Sequence, residues 1–159
     1  MSAAGDAACI ELELPAAHAY ASVGRRVVSR LVEERGLPER QQEVIALTAS
    51  ELLSNAVDHG GGDAAMEAAE TEARMEMHFE LGERGWSLAV SDAGAGDAAQ
   101  LTELLEGDPF AALEDERGRG LMLLRDLVDE LEVRDNPAGT GLTVIARVTD
   151  AWRAGDGGA

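Results

Sequence analysis

The chain has 159 residues, 45% of them hydrophobic and 28% charged, a balance that fits one globular domain with its own core and excludes wholesale disorder. Its formal net charge of -18, from 31 acidic and 13 basic residues, would make a nucleic-acid backbone or an anionic membrane surface repel most of the molecule, so partners are expected among proteins and small molecules. Every basic residue is an arginine, which removes Schiff-base chemistry and any phosphate site built on a lysine, and Cys9, as the single cysteine, excludes an internal disulfide and a cysteine-rich zinc cluster.

Residues 1–9 and 154–159 are small and rich in Ala and Gly, and are expected to be tails around one domain over 10–150. The amino terminus shows no basic segment leading into an apolar core, and no run approaches the roughly 18 apolar residues of a membrane span, so a cytoplasmic location is expected. The stretch CIELELP alternates Ile10, Leu12 and Leu14 with Glu11 and Glu13, which predicts a half-buried edge strand stopped by Pro15. From 16 to 35 the positions Val23, Val27, Val28, Leu31 and Val32 recur at helical spacing, and Gly36 supplies the stop. A second long helix begins at Pro38, carries Val44, Leu47, Leu52 and Val57 on a helical period, and exits at Gly60.

Met75, Met77, Phe79 and Leu81 then alternate with polar residues, and GERG leads into WSLAVSD, predicting two antiparallel strands. After DAGAG the pattern breaks until RGRGLMLLRDLVDELEV, a third helix opening on a glycine pair. A final strand pair is joined through Asn136, Pro137 and Gly139. Helices and strands segregate too much for a doubly wound sheet, so the fold class is α+β: a two-layer sandwich of helices on one face of a sheet whose other face is open to water or covered by a lid.

Four stretches carry residue types suited to chemistry. Glu51 and Asn55 sit one helical turn apart, so a carboxylate able to take a proton and an amide oxygen able to bind a hard divalent cation share a face. A solvated helix end is the alternative reading of that pair, and His59, a further turn on, reads as a helix-terminal residue favoured by the macrodipole. Asp92 stands at the end of an apolar strand with Gly94 and Gly96 behind it, where backbone can approach a planar or anionic group; a plain turn would account for the same residues. Gly118 and Gly120, flanked by Arg117 and Arg119, lie at a helix start, where N–H groups can meet phosphate. Thr140 places a small hydroxyl at the mouth of the last strand.

Taken in order, E-x-x-x-N on a helix, D-x-G-x-G at a strand end, G-x-G at a helix start and G-T-x-L before a strand resemble the Bergerat-type (GHKL) ATP-binding fold of gyrase-like, Hsp90-like, histidine-kinase and MutL-like ATPases. With ELELPAAHAYASVGRRVVSRLVEERGLP leading into LTASELLSNAVDHG as a bare module, the chain is similar to the bacterial anti-sigma factor serine kinases. The resemblance implies a mixed, mostly antiparallel sheet with an ATP lid, and ATP and Mg²⁺ as ligands. It implies Glu51 as general base, Asn55 as the Mg²⁺ ligand, Asp92 on the adenine amino group, and Gly94 and Gly96 flooring the adenine pocket. Gly118 and Gly120 would meet phosphates at the lid, Arg117 or Arg119 would reach the γ-phosphate, and Thr140 would support the adenine contact. Implied partners are a sigma factor and a STAS-type antagonist phosphorylated on serine, with homodimerisation possible in such modules and no direct contact with nucleic acid or membrane. A nucleotide-gated binding module without phosphoryl transfer and a catalytic module acting on a histidine of another protein stay open. Two features depart from the family pattern: GAGDAAQL lacks the usual apolar residue after the glycines, and the acidic segment 63–73 is longer than the usual loop.

Overall fold

The computed structural model describes residues 7–59 and 72–151, with the side chains of residues 116 and 117 left aside. The expected exit at Gly60, nearly all of the acidic 63–73 segment, and most of both expected tails lie outside the described residues. The first strand, expected over CIELELP, begins one residue earlier, at Ala8.

That strand, β1 (Ala8–Pro15), leads into α1 (His18–Glu34) and α2 (Glu39–His59). The chain continues through β2 (Arg74–Leu81) and β3 (Trp86–Ser91) into three helices, α3 (Ala98–Glu106), α4 (Pro109–Glu114) and α5 (Glu116–Leu127), and ends with β4 (Glu130–Asp135) and β5 (Leu142–Val148). The five strands form one sheet in the order β1-β2-β3-β5-β4, and every pairing is antiparallel, so the expected parallel admixture is absent among the described residues. β1 is an edge strand, as its alternation and Pro15 predict.

Period-two patterning decides which face is covered. Met75, Met77, Phe79 and Leu81 of β2, Trp86, Leu88 and Val90 of β3, and Leu142, Val144, Ala146 and Val148 of β5 are buried on one face. Val28 and Val32 of α1, with Ile45, Leu52 and Leu53 of α2, join them in a single core. The opposite face is polar over β1, β2 and β4, carrying Glu11, Glu13, Glu76, His78, Glu130 and Glu132. Helix α1 closes where Gly36 predicts: Gly36 takes φ +70°, its N–H donates to the Glu33 carbonyl, and the Leu37 N–H donates to the Val32 carbonyl, the paired bonds of a Schellman stop.

The region after the first glycine motif is where the sequence reading fails. It holds two helices, α3 and α4, in place of an irregular loop, and the helix at the second glycine pair is the fifth in the chain. Asp97 caps α3 by accepting from the N–H groups of Ala99 and Gln100, and Leu101 and Leu105, four residues apart, are buried. Asp108 caps α4 by accepting from the Phe110 N–H, with Pro109 in the first helical position. Because α5 begins at Glu116, Gly118 and Gly120 lie inside its opening turns and not in front of them.

Candidate functional site

The middle strand of the sheet, β3, delivers Asp92 at its end, where the Asp92 N–H still reaches the Leu142 carbonyl at 2.9 Å. The carboxylate is 5% exposed, and the backbone N–H groups of Gly94 (2.9 Å) and Leu142 (3.2 Å) converge on its Oδ1, fixing its plane. Thr140 is exposed, and its hydroxyl donates to the Ala93 carbonyl at 3.1 Å, tying the β4–β5 turn to the loop behind Asp92. Thr140, far along the chain from Asp92 and Gly94, is thus brought up to them.

Two residues of this cluster escaped the sequence reading. Asn136 appeared there only as a turn residue, yet its Nδ2 donates to the Asp92 carbonyl at 2.8 Å. Gly141 takes φ +100°, and a Cβ on it would lie 2.2 Å from the Asp92 carbonyl oxygen and 2.6 Å from Asp92 Oδ1. Only glycine fits both the backbone angle and the approach. The turn signal NPAGTG was visible, but which of its glycines faces Asp92 depends on the β3–β5 register.

Helix α2 carries the second cluster and packs against both β3 and α5. Glu51, half-buried, places its carboxylate against α5, where a Cβ on Gly120 would come within 2.3 Å of Glu51 Oε2. One turn on, Asn55 is 8% exposed, and its Nδ2 is the buried side-chain atom without a hydrogen-bond partner among the described residues. An unsatisfied buried N–H donor costs about 1–3 kcal/mol, a cost that an acceptor on a bound ligand or water would relieve. Gly118 serves packing: a Cβ there would sit 2.3 Å from the Ala112 carbonyl oxygen, so its absence lets α5 lie close on α4. Arg119 is exposed at the start of α5, and the Arg117 side chain is outside the described residues.

A cavity of about 620 Å³ opens between the end of α2, the Gly96 loop, α3 and α4. Gly96 is the one predicted site residue on its wall, beside His59, and the wall also carries the carboxylates of Asp97, Glu103, Asp108 and Asp115. A bare polyphosphate would be repelled there; a cation-bound one would meet less repulsion.

A carboxylate and an amide oxygen at successive turns of one helix form an oxygen donor set of the kind a hard cation such as Mg²⁺ takes. Residues 14–151 match the histidine kinase-like ATPase domain. The chain is similar to the serine-protein kinase RsbW of Bacillus pumilus (strain SAFR-032), 31% identical over 141 residues that cover 85% of this chain and 82% of the relative. It is also similar to the RsbW serine-protein kinase of Staphylococcus aureus, 28% identical over 136 residues that cover 82% of each. With its helix-on-sheet architecture and a family match across most of its length, the chain belongs to the histidine kinase-like ATPase family that its four motifs resemble, and within it to the group of the RsbW proteins.

Proposed function

We propose that the protein is an ATP-dependent serine kinase that also acts as an anti-sigma regulator: it phosphorylates a STAS-type antagonist and restrains transcription by holding a sigma factor in the cytoplasm. The observation that carries this reading is the pairing on α2, with the Glu51 carboxylate set against the opening turns of α5 and the orphaned Asn55 amide buried one turn further. A module that only bound nucleotide would need no carboxylate at the phosphate end.

In this mechanism Asp92 recognises the adenine amino group with a carboxylate whose plane is already fixed by Gly94 and Leu142. Gly94 and Gly96 floor the base, and the turn bearing Thr140 and Gly141 holds that floor in place. Asn55, through its side-chain oxygen, would hold Mg²⁺, which neutralises charge on the phosphates. Glu51 accepts the proton of the partner's serine hydroxyl as that oxygen bonds to the γ-phosphorus and the bond to the ADP oxygen breaks. Gly120 and the arginines at 117 and 119 serve the phosphate end, with Arg117 or Arg119 on the γ-phosphate, while Gly118 lets α5 lie close on α4 behind them.

The family members named above are serine-protein kinases, which supports serine over histidine as the acceptor. No described helix is long and apolar enough to cross a membrane. The test is Glu51→Ala: it should retain ATP yet leave no acid-stable phosphoserine on the antagonist. Phosphorylation at the wild-type rate would remove Glu51 from its role, and acid-labile phosphate on the partner would move the protein to the histidine-directed class.

A further inference from the structure

On the polar face of the sheet, at its β1 edge and away from the α2–α5 layer, two cross-strand pairs lie side by side: Cys9 opposite Glu80, and Glu11 opposite His78. Directly opposed side chains on one face of an antiparallel pair have Cβ atoms about 4.5–5.5 Å apart, so the four side chains form a compact block. The imidazole is its centre. His78 Nδ1 lies 3.1 Å from Glu11 Oε1, while Nε2 lies 2.9 Å from Glu80 Oε1 and 3.8 Å from Cys9 Sγ. One ligand atom each from Cys9, Glu11 and His78 fall within 4.8 Å of one another.

The geometry points to a surface site for a borderline divalent cation of the Zn²⁺ class, bound by Cys9 Sγ and His78 Nε2, with Glu11 orienting the ring through Nδ1 and the Glu80 carboxylate, now on Nε2, turning onto the ion as a third ligand. Zinc bonds of about 2.3 Å to sulfur and 2.0–2.1 Å to nitrogen at a tetrahedral angle put the two ligand atoms roughly 3.6 Å apart, close to the observed 3.8 Å. The 2.9 Å Glu80 contact is a hydrogen bond that the ion would replace, spreading the pair slightly. A carboxylate on the far nitrogen is the usual way a metal-binding imidazole is held in orientation and made more basic. A thiolate with an imidazole and a carboxylate selects Zn²⁺, Co²⁺ or Ni²⁺ over Mg²⁺, so this site differs in ion preference, as well as in place, from the oxygen donors on α2.

The carboxylates give this patch a negative field that attracts a cation, and an ion binding here must displace the protons that the same field holds on the imidazole and the thiol. The Glu80 hydrogen bond first, and the Glu80 and Glu11 charges with it, outweigh partial desolvation and raise the His78 pKa above its ordinary value. Partial desolvation and the same two carboxylates push the Cys9 thiol up. Glu13 opposite Glu76 continues the ladder, so the carboxylates of these two strands outnumber His78 and Arg74, the latter at the far end of β2. An ion here would clamp the edge strand to β2.

The test is a titration of the untagged full chain with Co²⁺, read by absorption. The expected result is a thiolate-to-cobalt charge-transfer band that saturates at one equivalent, is bleached by Zn²⁺, and is lost in Cys9→Ser and in His78→Ala. The band should survive in Glu13→Gln, which removes a neighbouring carboxylate outside the block, and in Asn55→Ala, which alters only the α2 donors. Cys9, Glu13 and His78 lie on the polar face and Asn55 is a buried polar residue of α2, so circular dichroism of each variant is to match the wild type before its titration is read. Absence of the band, or Co²⁺ binding unchanged in Cys9→Ser, would overturn the site and leave diffuse binding to an acidic face.

Discussion

Gly120→Ala separates placement of the Glu51 carboxylate from stability of the fold. Gly120 lies within α5 and is not among the glycines with positive φ, so alanine is compatible with its backbone, and alanine exceeds glycine in helix interiors by about 0.8–1.0 kcal/mol. The new methyl would stand 2.3 Å from Glu51 Oε2, and ordinary contact begins at 3.4 Å, so the carboxylate must retreat by about 1 Å. That is cheap for the tip of a flexible side chain, but a displacement of about 1 Å in a reacting group can cost ~10²-fold in rate, or about 2.7 kcal/mol of barrier. The expected outcome is phosphoserine formation slowed about a hundredfold, with ATP affinity within a fewfold of wild type and a melting temperature unchanged or raised. Single-turnover phosphorylation of the antagonist, with calorimetry for ATP and a thermal melt, reads all three. Wild-type turnover with unchanged stability would refute the claim that Gly120 sets the position of a working Glu51, and a collapse in stability would show that Gly120 is a packing residue instead.

Gly118→Ala should behave in the opposite way, because the atoms it meets are the backbone of Ala112 and cannot swing aside. A loss of about 1–3 kcal/mol is expected, roughly 2–12 °C in Tm by differential scanning calorimetry, and an unchanged melt would contradict the close α4–α5 approach. Asn55→Leu should leave nucleotide-free stability unchanged or raised by up to about 1 kcal/mol in urea denaturation, since it removes an orphaned buried amide, while weakening Mg-ATP binding. A loss above about 2 kcal/mol would assign the amide a structural role. Gly141→Ala should lower stability and nucleotide affinity together, because strain at φ +100° and the 2.2 Å approach to the Asp92 carbonyl act at the same residue; loss of binding with an intact melt would separate the two.

The strands and the two long helices were legible because each buries one clean face. Met75, Met77, Phe79 and Leu81 could not alternate that way and belong to anything but a half-covered strand, and Gly36 needed only a helical period in front of it to be read as a stop. The α3–α4 region was lost for a local reason. Two helices of 9 and 6 residues offer too few turns for a period to stand out, though Asp97 before AAQL and Asp108–Pro109 before FAALE carried their capping signals openly. Within the site, spacing was enough to put Glu51 and Asn55 on one face, since that depends on a single helix. The contacts of Asn136 and Gly141 with Asp92 depend on how β3 pairs with β5, and of Glu51 with Gly120 on how α2 meets α5. Local pattern holds no record of either pairing.

The central claim is that Asp92 anchors a nucleotide between β3 and α2. Calorimetric titration of Mg-ATP and Mg-ADP into the wild type and into Asp92→Asn tests it most directly, because asparagine keeps an oxygen for the Gly94 and Leu142 N–H groups while removing the charged acceptor. Hydrogen bonds to charged groups contribute about 1.5–3 kcal/mol, so the wild type should bind both nucleotides and the variant should bind them at least tenfold more weakly with its fold intact. Equal binding by the two proteins would take Asp92 out of the nucleotide site, and no binding by either would leave this family member without the ligand on which the account rests.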